Sequence, residues 1–124
     1  MAATDLELKK AFTEMQINKI ETTKKLKLID IQCDVLRKSK QKCILTERGT
    51  SDLDDQTRVY SSIGRMFVLT AVSDMREDLK LKGDKFEELI GQLNERKEYL
   101  VKSLKEQEDS LRELVQQKKD ADSK

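Results

Sequence analysis

The chain has 124 residues, of which 40% are charged and only 4% aromatic, with 25 basic and 24 acidic side chains and a net charge of +1. That composition excludes a large globular core, and the near balance of charge gives no support for a nucleic-acid or membrane-surface role, which draws on a concentrated basic face. Disorder is opposed by charges that nearly cancel and by apolar residues that recur periodically.

The first element is a helix over about residues 5–44. With no Pro in the chain, nothing interrupts a long helix. Leu8, Phe12, Met15, Lys19, Thr22, Leu26, Ile29, Cys33, Leu36, Lys40 and Cys43 follow one another in alternating steps of four and three. That is the spacing of a coiled-coil seam. A second stripe, Ile17, Leu28, Ile31 and Val35, is expected to widen the apolar face. Asp5 suits the N-cap position, and Glu7 lies near the positive end of the helix.

The two cysteines, Cys33 and Cys43, lie ten residues apart. On one helix this is about 15 Å, too far for a disulfide. They read as reduced, buried thiols of a cytosolic protein. Without His, no metal site is expected, and no cofactor. No Gly-rich phosphate loop or His-based nucleophile pair is present, so no enzyme is expected. No run approaches the roughly 18 apolar residues of a membrane span, and the start MAATDLELKK lacks the apolar stretch of a signal peptide.

A linker and a β-hairpin occupy about residues 46–72. The stretch TERGTSDLDDQT holds turn and capping residues that end the first helix, with room for one short helical turn. Two strand candidates follow, 58–62 and 65–72, with Ile63-Gly64 suited to the tight turn between them. The run Met66-Phe67-Val68-Leu69 is apolar on both faces, which in a strand signals burial on both sides. The chain offers no other strands to cover it, so partners must come from other chains. The residues expected to make those contacts are Val59, Tyr60, Ile63, Met66, Phe67, Val68 and Leu69, with Gly64 setting the turn. The alternative is a hairpin folded onto its own helices, which offer little surface for it.

The last element is a helix over about residues 74–118, with a frayed tail at 119–124. Leu79, Gly83, Phe86, Ile90, Leu93, Lys97, Leu100, Leu104, Gln107, Leu111, Leu114 and Lys118 again step by four and three. The two seams are nearly equal in length, eleven and twelve positions. The expected fold is mainly α: one domain over 1–124, with two long helices forming an antiparallel coiled coil joined by a single β-hairpin at the bend. Cys43 then lies near Leu79, and Leu8 near Leu114. At the open tip Leu6, Leu8 and Phe12 meet Leu111, Leu114 and Val115. Pairing is weakest at such an end, so its side chains suit loose capture of exposed apolar segments. Leu6, Leu8, Phe12, Leu111 and Leu114 are the candidates for that contact.

The order Tyr60-x-x-Ile63-Gly64-Arg65-Met66-Phe67 between two heptad-bearing helices, and the N-terminal DLELKKAFTEMQ, resemble the β-type subunits of prefoldin. The resemblance covers essentially the whole chain. It implies an ATP-independent chaperone, a heterohexamer of two α-type and four β-type subunits in which hairpins build a body of two β-barrels. It further implies that unfolded clients, actin and tubulin among them, are held between the coiled-coil tips and passed to the cytosolic chaperonin. The implied compartment is the cytoplasm, with a nuclear role left open. The residues alone also fit a different function, a coiled-coil tether whose hairpin joins a fixed, folded partner.

Overall fold

The structure, a computed structural model, describes residues 2–123, with side chains from residue 5 to residue 123. Its elements run helix α1 (Ala2–Gly49), strand β1 (Val59–Ile63), strand β2 (Met66–Thr70) and helix α2 (Val72–Asp122). Two long helices thus flank one two-stranded antiparallel sheet. Both helices outrun their expected limits. α1 begins before Asp5, which therefore sits in the first helical turn and not at the cap. The expected frayed tail is helical through Asp122, and Lys118 near that end is tied to Asp5 by an ion pair.

α1 also continues through Thr46, Glu47 and Arg48 to Gly49, and residues 50–57 form turns without a separate helix. Hydroxyls explain the late stop. Thr46 Oγ1 and Thr50 Oγ1 donate to the carbonyls four residues back at 2.8 and 2.7 Å, and Ser51 Oγ donates to the Arg48 carbonyl at 2.8 Å. Turn-forming residues here satisfy the last helical carbonyls without unwinding the helix.

The chain divides into two units, one of Met1–Ile31 with Leu93–Lys124 and the other of Gln32–Gln92. In the first unit, Asp5 pairs with Lys118, Lys19 with Glu108 and Asp30 with Lys97, so α2 runs backward as α1 runs forward. In the second, Lys40 of α1 pairs with Glu87 of α2. Each of these pairs has at least one partner open to solvent, and such a pair contributes only about 0–1 kcal/mol. Register comes instead from the seam. Thr22 and Ile29 are buried in the first unit and Cys33 in the second, with Leu26, Leu36, Phe86, Ile90 and Leu100 half-buried beside them. The second stripe does not widen this face. Ile17, Leu28, Ile31 and Val35 are all exposed, because at about 100° per residue they fall on the far side of α1 from Ile29 and Cys33.

Near the chain ends the seam departs from the expected heptads. On α1 the inward positions are Leu8, Ala11, Met15 and Asn18, and on α2 they are Leu104, Glu108, Leu111, Val115 and Lys118. Phe12 and Leu114 are left exposed. A helix of 3.6 residues per turn drifts by about 20° per heptad against a strict seven-residue repeat, and over several heptads this moves the inward face by one position.

Candidate functional site

The hairpin's register pairs Val59 with Thr70, Tyr60 with Leu69, Ser61 with Val68, Ser62 with Phe67 and Ile63 with Met66. The two-residue turn is therefore Gly64-Arg65 and not Ile63-Gly64, with Ile63 the last residue of β1. Gly64 has φ +60°, and no described non-Gly residue has a positive φ. Positive φ at the first turn residue alone is the type II′ pattern, whose twist matches paired strands.

Directly opposed residues share a face of the ribbon. Val59, Ile63, Met66 and Val68 lie on one side, where Ser61 and Thr70 hydroxyls meet at 2.9 Å. Tyr60, Phe67 and Leu69 lie on the other. Apolar groups thus project from both faces, and Phe67 is 73%, Met66 64% and Leu69 62% exposed. A ribbon with two open edges and two apolar faces is a surface for strand addition.

At the ribbon's base Val72 is only 1% exposed. Beside it Arg76 holds the linker. Its Nη2 donates to the Leu53 carbonyl at 2.9 Å and lies 3.2 and 3.4 Å from those of Ser51 and Thr50. Its Nη1 is 3.8 Å from an Asp55 carboxylate oxygen. One guanidinium from the first turns of α2 thus closes the end of α1. Sequence reasoning missed this residue, since nothing in local spacing separates Arg76 from Arg58 or Arg65.

The second set of expected residues lies in the unit of Met1–Ile31 and Leu93–Lys124. A groove lined by Ala11, Met15, Asn18, Gln107, Leu111 and Leu114 runs along one side of its seam, where Asn18 donates to Gln107. Phe12, Met15, Leu111 and Val115 line a second groove between Lys19, Glu108 and Arg112. Leu8 and Leu114 line a third with Lys118 and Ala121. Four of the five expected tip residues therefore share apolar grooves. Leu6 does not join them: it is 68% exposed and frames a separate groove with Lys9, Lys10 and Thr13. On α1 Ala11 and Asn18 occupy inner positions, Asn18 donating to the exposed Gln107, and Phe12 and Leu114 stand at the sides of the seam, 47 and 41% exposed.

Among the described residues, no group of three or more His, Cys, Asp or Glu side chains is placed to hold a metal ion, and no helix is long and apolar enough to cross a membrane. Cys43 is half-buried and Cys33 buried.

The family described as prefoldin subunit matches residues 3–118. The human protein "Prefoldin subunit 1" is 43% identical over 114 residues, covering 92% of this chain and 93% of that protein. The Arabidopsis thaliana protein of the same name is 38% identical over 109 residues, covering 86% of this chain and 84% of that one. The crystal structure of the prefoldin beta subunit from Thermococcus strain KS-1 superposes with a TM-score of 0.72 at 18% identity, covering 86% of this chain and 90% of its own. The shared fold is the same succession of long helix, hairpin and long helix. With the family matching nearly end to end and the hairpin bare of sheet neighbours, the chain belongs to the prefoldin subunit family and has the β-type fold.

Proposed function

We propose that this β-type prefoldin co-chaperone subunit adds its hairpin to a body shared with α-type and other β-type subunits. We propose further that it holds unfolded clients at the free end of its helix pair. Prefoldin is a chaperone family and its subunits act in assembly with one another. The observation that carries the reading is the hairpin, apolar on both faces and solvent-exposed throughout its tip. Burying one such side chain contributes roughly 1.5–3 kcal/mol, so Tyr60, Ile63, Met66, Phe67, Val68 and Leu69 together form a strong assembly surface.

Client capture is assigned to Leu6, Leu8, Phe12, Leu111 and Leu114. The open apolar grooves beside the seam support it, for they are rimmed by flexible Lys, Glu and Gln side chains and suit weak, sequence-tolerant contact. The client class is unfolded chains of the actin and tubulin type, delivered to the cytosolic chaperonin without nucleotide hydrolysis. The site of action is the cytoplasm, and the chain does no catalysis.

The test dilutes a denatured client into buffer with the assembled complex and follows light scattering. Phe12→Ser with Leu114→Ser should leave the complex intact and reduce the suppression of aggregation several-fold. Unchanged protection would mean that capture lies elsewhere. Failure to protect any unfolded client, together with tight binding of one folded partner, would favour the tether.

A further inference from the structure

Two faces of the unit formed by Met1–Ile31 and Leu93–Lys124 take no part in pairing, and they carry opposite charge. On α1, Ile17, Ile20, Leu28 and Ile31 lie opposite the buried Thr22 and Ile29, and are 53, 58, 56 and 61% exposed. Lys24 and Lys27 stand among them, exposed, and Lys10 lies two turns before Ile17 on the same side, against Glu21 within the row and Glu14 ahead of it. Among the described residues none of these three lysines is held in an ion pair; the pairing of the unit uses Lys19, Lys97 and Lys118. The outer face of α2 presents Glu95, Glu98, Glu106, Asp109 and Glu113, with Lys102 among them and Lys105 at its margin beside Glu98; its exposed large apolar groups, Tyr99 and Val101, are about 200° apart around the helix and form no row.

We propose that the outer face of α1 from Ile17 to Ile31 docks an acidic amphipathic helix of a partner protein. The apolar row covers four turns, about 21 Å, which is the contact length of one short helix. A partner with Leu or Ile at matching intervals buries the four side chains, and its flanking carboxylates meet the three lysines. Charge makes the choice of face. An acidic helix is repelled by α2, and a basic helix drawn to α2 finds no apolar row there. A bilayer is the poorer occupant, since the row lacks the aromatic residues that anchor interfacial helices. This surface is separate from both the hairpin and the helix-end grooves.

The test uses the chain assembled with its prefoldin partners and a fluorescent synthetic helix of about 20 residues, with Leu on one face and Glu elsewhere. Anisotropy should show saturable binding with one site per copy of this chain, weakened by added salt. Ile20→Gln with Ile31→Gln, and separately Lys24→Glu with Lys27→Glu, should each weaken it about tenfold while native mass and client protection stay unchanged. A Lys-for-Glu version of the peptide should show no binding that these substitutions affect. Absence of binding by the Glu peptide, or binding indifferent to both pairs of substitutions, overturns the proposal. So does co-sedimentation with phosphatidylserine vesicles that both pairs abolish while the Glu peptide stays unbound.

Discussion

Single side chains divide into those that hold the helices together and those left for other molecules. Ile29 belongs to the first kind, at 4% exposure in the seam. Ile29→Ala should cost about 2–4 kcal/mol, read as a lower thermal midpoint of the helical circular-dichroism signal. Phe67 belongs to the second, fully displayed on the hairpin. Phe67→Asp should leave helix content unchanged yet abolish assembly in native mass spectrometry; a normal complex would remove the hairpin from its assigned role. Both are legible in the sequence, Ile29 from its heptad position and Phe67 from an apolar run with no internal cover. The turn lies one residue later than its sequence suggests, because Gly64 fits either central position of a two-residue turn and only the strand register distinguishes them. Leu6 does not face α2 despite its closeness to Leu8, since two residues along a helix is about 200° of rotation.

At the scale of elements, the long periodic helices are legible in the sequence and their ends are not. Thr46, Thr50 and Ser51 carry turn propensity, yet their hydroxyls bond back to helical carbonyls and prolong α1. The drift of the seam is equally invisible to a strict heptad count, and it decides that Phe12 and Leu114 stand at the sides of the seam. Arg76 shows what local pattern cannot supply, since its partners lie more than twenty residues away in the chain. Arg76→Ala removes a donor from the linker carbonyls of Thr50, Ser51 and Leu53 and should speed proteolytic cleavage within residues 50–57, with helix content retained. Arg76→Lys supplies a single ammonium in place of the planar fork and should restore protection only in part. Cleavage rates equal to those of the unsubstituted chain would show that the linker is held by other means.

For the whole molecule, composition and pattern converge on one property: a chain with too few apolar residues for a globular core nevertheless places a cluster of them on an exposed ribbon. Both outer edges of the ribbon carry backbone groups that the two-stranded sheet leaves unpaired, and an isolated hairpin is marginal in water. Membership of a family of assembling subunits accounts for that placement. Amide hydrogen exchange over residues 59–70, measured on the chain alone and after assembly with other prefoldin subunits, tests this most directly. Rapid exchange is expected in the free chain and strong protection in the complex. Protection already complete in the free chain, or exchange unchanged by assembly, would contradict it.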